Sequence, residues 1–163
     1  MYQYGLANIE QNGMARTALV VDEKYYDLKQ IYLNLNPGLF TVPVWIEDLN
    51  RLISEWEIFS GALESLAGDA KALIDDKKIA AISEASNNLL APIKPNRIFG
   101  AASNYVEHAA EMETALAAKV DSSPYMFMKA TTSVVGPNAC VMLPPEAEKP
   151  DWEVELGVVI GRS

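Results

Sequence analysis

The run Leu156-Gly157-Val158-Val159-Ile160 follows directly on Asp151-Trp152-Glu153-Val154-Glu155, and this junction constrains the chain more than any other stretch. An apolar, β-branched run broken by one glycine reads as a strand buried on both faces. Side chains alternate along a strand, so Asp151, Glu153 and Glu155 share one side while Val154 and Leu156 take the other. Two ionised carboxylates beside a dry segment repel each other and lose hydration, a cost that a hard divalent cation bound through oxygen would remove. The same spacing also suits a solvated strand end carrying ordinary surface charges. The pattern alone leaves both readings open.

The chain has 163 residues, half of them hydrophobic and 21% charged, a globular composition with room for one ordinary domain or for a small domain and part of a second. A net charge of −9 argues against nucleic acid and anionic membrane surfaces, because phosphate contacts need clustered Lys and Arg. An acidic protein with an anionic substrate needs a local positive centre, which a metal could supply. The one histidine, His108, excludes a multi-His zinc site within the chain. The one cysteine, Cys140, excludes an internal disulfide and fits a reducing, cytoplasmic setting. The first residues lack the basic start and apolar core of a signal peptide, and no apolar run is long enough to span a bilayer.

The first 91 residues read as a small α+β domain. Tyr2 to Ile9 and Thr17 to Val21 flank Gln11-Asn12-Gly13, and Asn-Gly is a strong hairpin signal. Asp22-Glu23-Lys24 is expected to turn the chain again before Tyr25 to Leu28. After the breaker Asn36-Pro37-Gly38, helical spacing takes over at Ile46, Leu49, Leu52, Ile53 and Trp56, and continues at Phe59, Leu63, Leu66, Ala70 and Leu73 as a core or interface stripe. Ser54 and Glu57 have capping-box spacing, at a helix start or within a helix. Residues 83–96 read as a linker into a second domain, over 92–163.

In that second part, Arg97 to Ala102 reads as a short buried strand ending in small residues, and Asn104 as an N-cap with Glu107 three residues on. The following helix carries His108 and Glu111 one turn apart on one face. Residues 113–123 lose periodicity and suggest a connection or a lid. Tyr125 to Lys129 alternates like a strand, Thr131 to Ser133 is a polar loop, Gly136-Pro137-Asn138 a turn, and Cys140 to Leu143 a strand.

Taken in order, Ile98-Phe99-Gly100, Asn104-Tyr105-x-x-His108-Ala109-x-Glu111, Phe127-x-Lys129, Ser133-x-Val135-Gly136-Pro137 and Asp151-x-Glu153-x-Glu155-Leu156-x-Val158-Val159-Ile160-Gly161 resemble the fumarylacetoacetate hydrolase family over roughly residues 92–163. The resemblance implies an α+β chain, mostly β in its catalytic part, with a folded β-roll that is incomplete here. It implies Mg2+ or Mn2+, with Ca2+ as a third choice, held by three carboxylates, two of which match Glu153 and Glu155. The third, an Asp some thirty residues further on, would lie past Ser163, so the chain is expected to be a fragment that is inactive alone.

The resemblance further matches His108 and Glu111 to a catalytic pair, in which a carboxylate on one ring nitrogen makes the other basic enough to deprotonate water. Lys129 matches a lysine that faces an anionic substrate or a glutamate, though it also suits a plain surface lysine at a strand end. Ser133 and Thr132 could donate to substrate oxygens. Asp151 would reach the ion's water shell. The implied chemistry is hydrolysis of a carbon–carbon bond in an acylpyruvate-like 1,3-dicarbonyl acid, by a homodimer acting on small anionic oxo acids. Decarboxylation, keto–enol isomerisation and sugar-acid dehydration are alternatives, as is a non-catalytic binding module.

Overall fold

The computed structural model describes residues 3–83, 88–102, 104–111 and 123–160. The chain is mixed α+β, as the sequence implies, and divides into two compact units, residues 1–93 with 135–163, and residues 94–134.

The first unit begins with an antiparallel sheet of β1 (Gly5–Gln11), β2 (Met14–Val21) and β3 (Lys24–Asp27), in the order β1-β2-β3. Both hairpins close with two residues at positive φ, Asn12-Gly13 (54° and 75°) and Asp22-Glu23 (47° and 61°). Such turns follow the right-handed twist of the strands they join. They set the registers Gln11↔Met14 and Val21↔Lys24.

Asp27 ends β3 and at once caps α1 (Leu28–Leu35), its Oδ1 accepting from the backbone N–H of Lys29 and Gln30 at 2.8 and 3.3 Å. The strand expected to run through Leu28 is thus cut short by a helix that buries Leu28 and Ile31. The single stripe expected from Ile46 to Trp56 is broken into α2 (Val44–Glu47) and α3 (Leu49–Ser54), followed by α4 (Trp56–Asp75). Asp48 makes the first break, ending α2 and accepting from the N–H of Asn50 and Arg51. Ser54 forms no capping box; its hydroxyl donates to the Arg51 carbonyl.

The alternation of β2 explains how both faces of this sheet are covered. Leu19 and Val21 pack with Tyr26, Leu28, Ile31, Ile46, Leu52, Leu63 and Ala67 under the helices. Ala18 faces the other way, with Ala7 and Ile9, against Ile82 and Leu89. Ile82 N–H donates to the Tyr25 carbonyl beside β3, and Leu90 N–H to the Asn8 carbonyl beside β1. Residues 82 and 89–91, within or next to the stretch read as a linker, therefore hydrogen-bond along both open edges of the sheet. Within the same unit, the expected turn at Gly136 forms, with Ala139 N–H donating to Gly136. A β-carbon on Gly136 would lie 2.9 Å from the Leu89 carbonyl oxygen, so only glycine allows that close approach.

The second unit holds β4 (Ile98–Ala102) paired antiparallel with β5 (Tyr125–Lys129), and α5 (Val106–Glu111). Both strands fall where the sequence places them, but neither is buried: Phe99 on β4 is exposed, and so is every residue of β5. The helix starts at Val106, so Asn104 lies two residues upstream, its Nδ2 donating to the Ala101 carbonyl. The segment expected as a connection or lid, residues 113–123, falls outside the described residues apart from Ser123, as does Gly161.

Two further expectations are corrected. Residues 140–143 and 151–160 form no strand, and every residue from Asp151 to Ile160 is exposed. A strand needs a hydrogen-bonded neighbour as well as β-branched side chains, and among the described residues no ladder forms beside either stretch. No helix among the described residues is long and apolar enough to cross a membrane.

Candidate functional site

The candidate residues fall into two sets, one in each unit. In the 94–134 unit, His108 and Glu111 both lie on α5, three residues apart; their side chains are outside the described residues. Helical geometry places such a pair on one face.

Lys129 ends β5, opposite Ile98 in the register. Its Nζ stands 5.9 Å from the centre of the Phe127 ring, within the range of a cation–π contact. The ring lies over Gly100, its partner across the ladder: a β-carbon on Gly100 would come within 2.7 and 2.8 Å of Phe127 Cε2 and Cε1. The small residues expected to let a ligand approach β4 thus admit the Phe127 ring. Sequence reasoning named Phe127 in the Phe127-x-Lys129 motif but gave it no role, although the alternation of β5 already put residues 127 and 129 on one side.

Four residues beyond Lys129, Ser133 closes a 3-10 turn (Thr131–Ser133). Its hydroxyl donates to the Ala130 carbonyl at 2.7 Å, and its N–H donates to the same oxygen at 3.0 Å. The exposed hydroxyl oxygen keeps its lone pairs for a ligand donor, and its proton would have to leave Ala130 to reach a ligand oxygen.

The acidic set lies on the exposed stretch 151–160. Asp151 Oδ1 accepts from the N–H of Trp152 at 2.8 Å, which fixes the carboxylate against its own backbone. Glu153 and Glu155 follow at the predicted two-residue spacing. Their donor chemistry suits a hard cation, but a closed site takes more oxygen ligands than two carboxylates give. Among the described residues no group of three or more His, Cys, Asp or Glu side chains gathers closely enough to hold a metal. The described residues therefore present part of a donor set, not a finished metal centre.

Residues 97–163 match the family model described as Fumarylacetoacetate (FAA) hydrolase C-terminal. The chain is 39% identical over 74 residues to the mitochondrial oxaloacetate tautomerase Fahd2a of Rattus norvegicus, covering 45% of this chain and 22% of that protein. It is 42% identical, over the same length and shares, to the human protein named oxaloacetate tautomerase FAHD2A. It is 35% identical over 128 residues to the 2,4-didehydro-3-deoxy-L-rhamnonate hydrolase of Sphingomonas sp. (strain SKA58), covering 78% of this chain and 41% of that protein. The chain thus spans less than half the length of these curated relatives, whose names describe enzymes. The match over residues 97–163 carries His108, Glu111, Lys129, Glu153 and Glu155 within it, and through that segment the chain belongs to the fumarylacetoacetate hydrolase family.

Proposed function

We propose that the protein containing this chain is an enzyme for small anionic 2-oxo or 1,3-dicarbonyl acids, cleaving a carbon–carbon bond by hydrolysis. One observation carries the reading: the segment that matches the family holds a His–Glu pair one helical turn apart and, further on, two carboxylates at two-residue spacing. The relatives' names point to the same substrate class, one to oxaloacetate and one to a 2,4-didehydro-3-deoxy sugar acid.

The proposed division of labour follows from the chemistry of each side chain. Glu111 accepts from one ring nitrogen of His108, and the other nitrogen takes a proton from water. The hydroxide adds to the carbonyl next to the bond that breaks. The electron pair of that bond leaves as an enolate on the 2-oxo acid fragment, and the His108 proton returns to its carbon. Lys129 offsets the substrate's negative charge in a chain that is itself acidic. Ser133 and Thr132, a few residues beyond Lys129, would donate to substrate oxygens, Ser133 by releasing the Ala130 carbonyl. Glu153 and Glu155 are the residues that would hold Mg2+ or Mn2+, with Asp151 beside them, and a bound ion supplies positive charge that favours the enolate.

A second reading has its own support. Two of the relatives are named oxaloacetate tautomerases, and keto–enol tautomerisation needs the enolate but no water attack. Supplying the full-length protein with oxaloacetate and, separately, an acylpyruvate in the presence of Mg2+ distinguishes the two by NMR. A carboxylate and a 2-oxo acid from the acylpyruvate support hydrolysis, while keto–enol exchange of oxaloacetate with no cleavage of either compound supports the tautomerase. Loss of the His108 base is expected to lower hydrolysis by about 10²–10⁴-fold. Near-wild-type turnover in both His108→Ala and Glu153→Ala would overturn the proposed site.

A further inference from the structure

The geometry points to Phe127 as a positioning residue for Lys129, with Gly100 as the place on the neighbouring strand that lets the ring do so. This inference rests on the proposal that Lys129 meets the anionic substrate, and it adds what holds the ammonium in place.

Three observations on the β4–β5 ladder carry it. Gly100 and Phe127 are direct partners in the register, and the ring occupies the space that a side chain on residue 100 would need. The ring therefore lies down on the sheet beside its own strand. Phe127 and Lys129 are two residues apart on β5 and share a face, and the ammonium reaches the ring at 5.9 Å. Lysine's long stem normally samples many rotamers at a strand end. A quadrupole attraction to a ring resting over Gly100 narrows that sampling and biases the charge toward the ring. Any residue but glycine at position 100 would lift the ring and undo both contacts. The chemistry served is recognition of one carboxylate of a small oxo acid, where a pre-placed charge weakens release more than it alters the reaction step.

The test compares Phe127→Leu, Phe127→Tyr, Gly100→Ala and Lys129→Met in the full-length protein, with thermal melting to confirm that each folds. NMR reads the ring–ammonium contact without any substrate. The Lys129 ε-methylene protons are expected upfield of free lysine in the wild type and in Phe127→Tyr, and back at the free position in Phe127→Leu and Gly100→Ala. Kinetics on whichever of the acylpyruvate and oxaloacetate the wild type converts, with Mg2+ present, read its consequence. Phe127→Leu is expected to raise KM about 2–5-fold at unchanged kcat, the size of an exposed cation–π contact, with Phe127→Tyr restoring it. A free-lysine shift in the wild type, or an unchanged KM in Phe127→Leu while Lys129→Met raises it, overturns the positioning role alone. An unchanged KM in Lys129→Met, or no turnover of either acid by the wild type, overturns the reading of Lys129 as a contact of these substrates. In that case the positioning role in recognition falls with it.

Discussion

At Gly100 a β-carbon would run into the Phe127 ring, whereas at Gly61, on the exposed side of α4, it would meet nothing within 4 Å. The same substitution should therefore change stability by different amounts at the two positions. Gly61→Ala removes backbone freedom from the unfolded chain at a site that is already helical, and is expected to stabilise by about 0.4–1 kcal/mol. Gly100→Ala displaces the end of an exposed side chain, so it loses the ring contact and is expected to gain less than Gly61→Ala, under about 0.4 kcal/mol. Urea midpoints of the two variants check the order. Thr17 offers a third case: among the described residues its buried hydroxyl has no hydrogen-bond partner. Thr17→Val exchanges that hydroxyl for a methyl of similar size, so the variant should melt no lower than the wild type and up to about 1–3 kcal/mol more stable.

At the scale of elements, Glu47 ties three of them together. Its Oε1 accepts from Lys29 of α1 at 2.7 Å and from Arg16 of β2 at 3.2 Å, anchoring α2 to both. The Lys29 hydrogen bond, chiefly, and the charges of Lys29 and Arg16 hold its carboxyl below the ordinary value of 4.5 against a smaller opposing effect of burial. A depressed folded value means that the unfolded chain binds the proton first as pH falls. The Glu47 contribution is thus complete above about pH 5 and fades as pH drops through the lowered value. Because the side chain is 39% exposed, that contribution is small, under about 1 kcal/mol. The expected outcome is a lower urea midpoint for Glu47→Gln at pH 7, with the gap to wild type closing by pH 3. A gap that persists at pH 3 would mean that the glutamate acts through packing.

Local signals were the legible part of these elements. Asn12-Gly13 told of the first hairpin because only a few residues accept positive φ, and the α4 stripe told of its buried face through Leu63, Leu66 and Ala70. The helix at Leu28 went unread although Asp27 is a good cap, because Tyr25-Tyr26-Asp27-Leu28 also reads as a strand. The cap signal of Asn104 and Glu107 placed His108 and Glu111 on a helix, and that helix forms, starting at Val106. The run from Leu156 to Ile160 marks the limit of local signals. Its side chains state a preference for a sheet, but whether a sheet edge stands beside them is not written in the run itself.

For the whole molecule, the distribution of buried side chains sets which part resists opening. Apart from Ala109, every buried hydrophobic side chain among the described residues lies between Ala7 and Ile79. In the stretch 151–160, Trp152, Val154, Leu156 and Ile160 are each at least 80% exposed, with no regular hydrogen-bonded structure around them. Opening a segment costs the burial and hydrogen bonds it holds, so the two regions should differ by most of the global stability. Amides of β2 are expected to exchange only through global unfolding, while those of residues 151–160 exchange within seconds. A protease needs an accessible extended segment, which makes Trp152 and Leu156, together with Phe40 in the exposed loop before α2, the first chymotrypsin targets, ahead of any site within β1 to β3 or α4. Time-resolved hydrogen exchange followed by peptide mass mapping measures both. Slow exchange at Val154 to Val159 would show that these residues have found a strand to pair with in solution, placing Glu153 and Glu155 at the end of a real sheet edge and reviving the pairing first read from the sequence.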